Sequence, residues 1–287
     1  MVVPNYVAVS IFLVVYSLIV LRNLRWFRIP VWTVMLAGAV AMIFLNAIPL
    51  DIAYQSVNLD VIFFLIGMFT IVTAMDLSGL LEHITIRIVR LAKTPTRIFA
   101  MIIFGFAAMS AFLMNDTLAV MGTPIILSLS KQMKMRPPVL LIALMMGITI
   151  GSVVTPVGNP QNLLIAVSSG IPNPFFNFLY YLLPPTLLSL IASYLILRTL
   201  FRKDLKLAQR PSSDQAIETT IRDPRLAKIS SYTIMIVIVG FFLVGTTRLF
   251  GIVSNANLGT VALLGGTIIY VLSSRRREIV HAIDWGV

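Results

Sequence analysis

The sequence predicts an all-α polytopic membrane protein with a re-entrant hairpin, a broken helix and a second half that begins to repeat the first in inverted orientation. Three observations carry this reading: an apolar composition, basic residues gathered on one side of the predicted spans, and a short motif that recurs with opposite flanks. Of 287 residues, 58% are hydrophobic and 11% charged, and the mean hydropathy is +0.95. Globular domains carry roughly a quarter charged residues. The solvent of this chain is therefore the lipid bilayer.

About 20 apolar residues cross a hydrocarbon core of roughly 30 Å. Runs of that kind occupy 5–21, 29–48, 59–81, 174–197, 230–250 and 257–273. The first lacks a basic leader and a small-residue cleavage pattern, so it reads as a span and not as a signal peptide. The net charge of +11 does not point to nucleic acid, because the basic residues sit in short loops, where they record orientation. Arg22, Arg25 and Arg28 follow the first span, and Arg87, Arg90, Lys93 and Arg97 follow the third. Lys131, Lys134, Arg136, the 198–228 loop and Arg275 to Arg277 complete the set, leaving only Arg248 for the opposite side. The expected arrangement is an N-terminus outside and basic loops in the cytoplasm, in the cell membrane. The 198–228 loop, rich in Pro, Ser, Gln and mixed charge, reads as a solvated connector.

Two further apolar regions, 98–130 and 137–169, are too long for one span and too short for two. The first has basic residues at both ends, so it must enter and leave on the cytoplasmic side. Its returning arm, Leu118 to Ser130, is short of a full span, which predicts a re-entrant hairpin with its turn at Asn115, Asp116 and Thr117. Non-helical backbone at that depth must be buried in protein or line a wet cavity. Asp116, the one formal charge between Ile98 and Ser130, is costly there unless it has a role. The second region opens with Pro137 and Pro138 and is interrupted by TPVGNPQN, Thr155 to Asn162. It must cross once, in two pieces. Gly158 allows close backbone approach and Pro160 removes a donor, so carbonyls of the break are expected to point at a ligand. Thr155, Asn159, Gln161 and Asn162 add side-chain polar groups.

Residues 32–40, WTVMLAGAV, match residues 259–267, GTVALLGGT, at Thr33, Val34, Leu36 and Gly38 against Thr260, Val261, Leu263 and Gly265. Asp60 and Asp284 follow at similar offsets, but from opposite sides of the membrane. An inverted repeat of this kind is the mark of secondary transporters, whose broken helices meet at a central site. The organisation expected is a first repeat over 1–200, a linker over 201–229 and the start of a second repeat over 230–287. The chain reads as truncated after the first repeat.

MNDTLAVMGTP and GSVVTPVGNPQNLLIA, in this order of elements, resemble the ion transporter superfamily, which includes citrate and divalent-anion symporters, arsenite permeases and sodium/proton antiporters. The resemblance implies a secondary active transporter of a small anion such as citrate or a dicarboxylate, driven by Na+ or H+ through alternating access. It also implies binding residues at Asn115, Asp116, Thr117, Thr155, Gly158, Asn159, Gln161 and Asn162. Oxygens of Asn115, Thr117 and Asn159 are the expected Na+ ligands, and the helix starts near Thr117 and Asn162 are expected to face the anion. A homodimer is implied as well. The tip differs from the Ser-Asn-Thr of sodium-coupled members by Asp116, and Asn-Asp resembles arsenite permeases, so arsenite or antimonite efflux is the alternative.

Plainer readings stand beside these. Asn-Asp-Thr also fits a helix stop and cap, and GNPQN a tight turn. Asp60 reads as a helix cap, Asp76 as a boundary residue, and His83 and His281 as solvated. Residues 81–93 form an amphipathic helix suited to the membrane surface. Without cysteine there is no disulfide or thiolate metal site. An enzyme is disfavoured, because no Gly-x-Gly-Asp occurs and both His lie outside the apolar spans.

Overall fold

The computed structural model describes residues 5–21, 29–90, 92, 94–171, 173–209, 221–249 and 256–283, and every regular element among them is a helix. The described residues divide into two units, one ending at Leu59 and one running Asp60–Ile283. The predicted Asp284, like Arg22, Arg25, Arg28, Lys93 and Arg210, lies outside the described residues.

The first unit holds α1 (Tyr6–Leu21), α2 (Val31–Phe44) and α3 (Leu50–Gln55). Most of their apolar side chains are exposed, the state expected where lipid is the solvent. α1 and α2 pack together through Gly38, where a Cβ would lie 2.4 Å from Val15. Asn5 Nδ2 donates to the Ala47 carbonyl at 2.6 Å and ties the two ends of the unit.

The second unit contains α4 (Leu59–Leu77), α5 (Leu80–Arg90), α6 (Pro95–Ser110), α7 (Asn115–Gln132), α8 (Pro137–Gly151), a 3-10 turn (Ser152–Val154) and α9 (Pro160–Ser168). It continues with α10 (Pro174–Leu200), α11 (Arg202–Leu207), α12 (Pro224–Leu249), α13 (Leu258–Leu272) and α14 (Arg276–Ala282). Leu59–Leu77, Pro137–Val154, Pro174–Leu200 and Pro224–Val244 are long and apolar enough to cross a bilayer, and α1, α2, α6 and α13 are shorter apolar helices. The chain is an integral, all-α polytopic membrane protein.

Local chemistry sets the helix starts. α6, α8, α9 and α10 each open on proline in the first turn, where the missing N–H costs nothing. Thr94 caps α6 by accepting from Arg97 N. Asn257 and Thr260 form a reciprocal capping box on α13. Between α4 and α5 the chain turns at Gly79, φ 78°, a left-handed conformation that glycine adopts without strain.

Several contacts gather one basic end of this unit. The N–H groups of Arg222 and Asp223 donate to Ser78 O at 2.9 and 3.3 Å, and Arg222 pairs with Glu82 at 3.1 Å. Arg136 grips Asp204 through Nε and a terminal nitrogen at 2.7 and 2.8 Å, and Gln209 N donates to Met133 O at 2.9 Å. The guanidinium holds the Asp204 carboxyl below the usual aspartate range. The contact is therefore complete at neutral pH and is lost only as pH falls through that lowered value. These bonds dock both ends of the 198–228 segment, whose residues 210–220 lie outside the described residues. α11 packs with Leu205 buried, and α12 begins at Pro224. His83 departs from the solvated reading too: its Nδ1 is shut off from solvent without a partner, whereas His281 is exposed.

α8 packs along both α6 and α7. Gly147 and Gly151 stand one helical turn apart on its inner face. A Cβ at Gly147 would lie 2.5 Å from Ile103 O, and one at Gly151 2.4 Å from Ala107 Cα. Small residues at this spacing let helix backbones touch, a frequent solution where apolar burial cannot drive association. Gly151→Leu is therefore expected to destabilise the protein by about 3 kcal/mol, read as a lower melting temperature in detergent. Parental melting would show that the close approach of α6 and α8 is dispensable.

Candidate functional site

α6 ends at Ser110, and the chain reverses over residues 111–114 before α7 starts at Asn115. The turn thus falls just before the predicted triplet, and Asn115, Asp116 and Thr117 form the first turn of α7. The returning arm is also longer than the sequence indicated, 18 residues or about 27 Å of helix. α8 leaves helical geometry after the 3-10 turn, and residues 155–159 form an extended break before α9.

The two discontinuities meet. Asn115 N donates to Gly158 O at 3.2 Å. Thr155 Oγ1 donates to the Ala111 carbonyl through a short bond and accepts from Val157 N and Gly158 N, both at 3.2 Å. Ser110 Oγ donates to Ile148 O at 2.9 Å. Gly158 makes the junction possible, since a Cβ there would lie 2.2 Å from Ser152 O and 2.8 Å from Ser110 O.

The predicted residues separate into two groups once placed. Thr155 is fully buried with its hydroxyl committed on both sides. Asn159 Oδ1 caps α9 by accepting from Asn162 N at 2.8 Å, and its Nδ2 donates to Ser152 Oγ at 3.2 Å. Asn162 Nδ2 reaches three carbonyls, Ser152 at 3.0, Thr155 at 3.1 and Val153 at 3.3 Å. The break was expected to offer free carbonyls, yet these three are occupied by Asn162 and that of Gly158 by Asn115. The cation role assigned to Asn159 meets the same obstacle, because its oxygen is already an acceptor.

The second group is uncommitted. Asn115 Oδ1 is shut off from solvent and has no hydrogen-bond partner. Leaving such an atom unpaired costs about 1–3 kcal/mol, a deficit that a bound cation or donor would remove. Asp116 is exposed, Thr117 half-buried and Gln161 exposed. α7 follows Met114 and has no side-chain cap, so its first turn presents N–H groups and positive dipole. Of the two helix starts at the junction, α9 is capped by Asn159 and α7 is not. No group of three His, Cys, Asp or Glu suited to a metal occurs among the described residues.

Sequence reasoning overlooked Ser110 and Ser152, both buried and both part of the junction. Their signal was available: each is a hydroxyl in an apolar run, next to a predicted break.

A helical membrane protein in which two chain breaks meet within one unit belongs to the architectural class that includes secondary transporters. The chain belongs to the citrate transporter family, whose sequence pattern matches residues 13–287. It is 29% identical, over 98% of its length, to an uncharacterised transporter of Mycobacterium bovis, and spans 64% of that protein. It is 31% identical to the silicon efflux transporter LSI3 of Oryza sativa subsp. japonica over 59% of this chain and 35% of the relative. With the putative transporter arsB of Dictyostelium discoideum it shares 28% identity over 68% of this chain and 34% of the relative.

Asn162→Ala is expected to leave the carbonyls of residues 152, 153 and 155 without their donor and to lower stability by about 1–3 kcal/mol, measured by thermal unfolding in detergent. Unchanged melting would remove Asn162 as the brace of the break.

Proposed function

We propose that the chain carries the first binding half of a secondary active transporter for a small anion, citrate or a related carboxylate, moved by alternating access and driven by a Na+ or H+ gradient. The observation that carries this reading is the uncapped start of α7 at a junction of two chain breaks, beside the unpaired Asn115 Oδ1. Amide N–H groups at a helix start favour an anion. Asn115 Oδ1 and the Thr117 hydroxyl are oxygens suited to Na+, and Asp116 contributes charge for a cation or exchanges a proton. Thr155, Gly158, Asn159 and Asn162 then act as the frame that holds α7 in place, and Gln161 is the exposed amide of the opposite helix. The match to the citrate transporter family supports a carboxylate substrate. The concentration of basic residues at one end supports a cytoplasmic placement of that end in the cell membrane, with the N-terminus outside; a homodimer is the working form proposed with it.

A second reading, efflux of a metalloid hydroxy acid such as arsenite or antimonite, draws on the names of two relatives, a silicon efflux transporter and a putative transporter arsB. An uncharged substrate would use the same amide and hydroxyl groups as hydrogen-bond partners.

Counterflow into proteoliposomes holding the full natural chain separates the two, with labelled citrate, succinate, sulfate and arsenite under Na+ or proton gradients. The expected outcome is saturable, gradient-dependent uptake of a carboxylate. Asn115→Ala should reduce it by about tenfold or more, the loss that 1.4 kcal/mol produces, and Asp116→Asn should alter its dependence on the driving ion. Parental transport in both variants would remove α7 from the binding site. Arsenite flux without carboxylate flux would establish the second reading.

A further inference from the structure

Beyond its first turn, α7 has an outer face that the proposed transport site does not use. The inner face buries Leu118, Gly122, Ile125, Ile126 and Leu129, while Asp116, Val120 and Pro124 are exposed and Thr123 is half-buried. Positions 116, 120 and 123 follow one another at helical spacing along one side. They extend about 10 Å along the axis, from the junction toward Lys131 in the last turn.

Two features make this strip unlike a lipid-facing surface. Pro124 stands inside α7. It has no N–H, so the Val120 carbonyl, four positions earlier, lacks the donor that a helix interior normally supplies. Val120 itself is 74% exposed, on the side of the helix turned away from the core. The Thr123 hydroxyl donates its proton to the Ala119 carbonyl at 2.7 Å, which leaves its lone pairs to face outward. Carbonyl and hydroxyl are thus both acceptors, less than one turn from each other and one to two turns beyond the Asp116 carboxylate.

α6 and α8, on either side of α7 in the chain, are apolar helices. Backbone opened among such helices is tolerated where it is buried in protein or lines a water-filled cavity, and the exposure of Val120 leaves the second. α10 also holds interior prolines, Pro184 and Pro185, but no carboxylate. We propose that the outer face of α7 is a hydrated path for an alkali cation, in which the Val120 carbonyl and the Thr123 hydroxyl form a transfer position between Asp116 and the basic end of the helix. The inference rests on the reading of α7 as the binding helix and adds to it a route for the coupling ion, opened by Pro124. Carbonyl and hydroxyl oxygens replace water around an alkali ion, and two protein ligands hold it weakly enough to let it pass.

Thiol labelling of the full natural chain in proteoliposomes, on a cysteine-free background, tests the path. Single cysteines replace Val120 and, for comparison, Leu188, which is 68% exposed on α10. A membrane-impermeant thiol reagent should modify Val120→Cys and spare Leu188→Cys, since the reactive thiolate forms in water and not in lipid. NaCl or KCl should slow the reaction at 120 saturably, and choline chloride at equal ionic strength should not. Pro124→Ala returns a donor to the Val120 carbonyl. About tenfold more alkali salt should then be needed for the same protection, with the melting temperature unchanged or higher. A proline that only shaped the helix would alter melting and leave protection unmoved. Thr123→Val should weaken protection, and Thr123→Ser should retain it.

Protection by Na+, K+ or both supports the path. Absence of reaction at 120, equal reaction at 120 and 188, reaction that neither alkali salt slows, or parental protection in Pro124→Ala overturns it. Should Pro124→Ala fail to fold, Thr123→Val decides: parental protection there overturns the proposal. Carboxylate counterflow is a separate readout, so failure of the transport reading and failure of the path are told apart.

Discussion

One hydrogen bond, from the Asn115 amide to the Gly158 carbonyl at 3.2 Å, organises the interior of the second unit. It joins the reversal between α6 and α7 to the break between α8 and α9. In a hydrocarbon environment each unpaired backbone group costs several kcal/mol, so two breaks at one depth must either find water or find each other. Here they do both in part. The break after α8 is closed by Thr155, Asn159, Asn162 and Asn115, whereas the start of α7 stays open.

That asymmetry gives the site its chemistry. Every polar side chain that closes the α8–α9 break is spent on groups within the junction, which makes the break a rigid wall. Against it stands a helix start with no cap, an orphan amide oxygen at Asn115 and an exposed carboxylate at Asp116. The close packing of α8 on α6 through Gly147 and Gly151 holds the wall at the depth where α7 begins. Preorganised donors and acceptors of this kind can bind an ion with little rearrangement.

Much of this arrangement was legible in the sequence because lipid imposes simple rules. Apolar length located the principal helices, and Pro137 with Pro138 located the start of α8. Gly38 and Gly265, which the motif pairs, each pack against the helix that precedes them, at Val15 and at Val237. What escaped was set by distant partners. Ala111-Phe112-Leu113-Met114 contains no turn-forming residue, and its reversal depends on Thr155, 44 positions away. Docking of α11 depends on Arg136 meeting Asp204 across 68 residues. The use of Asn162 as a brace was hidden because an amide beside a break looks the same whether it serves a ligand or a carbonyl.

The convergence of the two breaks on one ligand site can be measured directly, because these 287 residues contain no cysteine. Single cysteines at Asp116 and Gln161, both exposed, and at Leu118 and Leu163, both buried, would be challenged with a membrane-impermeant thiol reagent applied from each side. Reaction at 116 and 161 but not at 118 and 163, with one substrate protecting both reactive positions, is the expected result. Labelling at 116 and 161 that no common substrate suppresses, or equal labelling at all four, would contradict a shared site at the meeting point of α7 and α9.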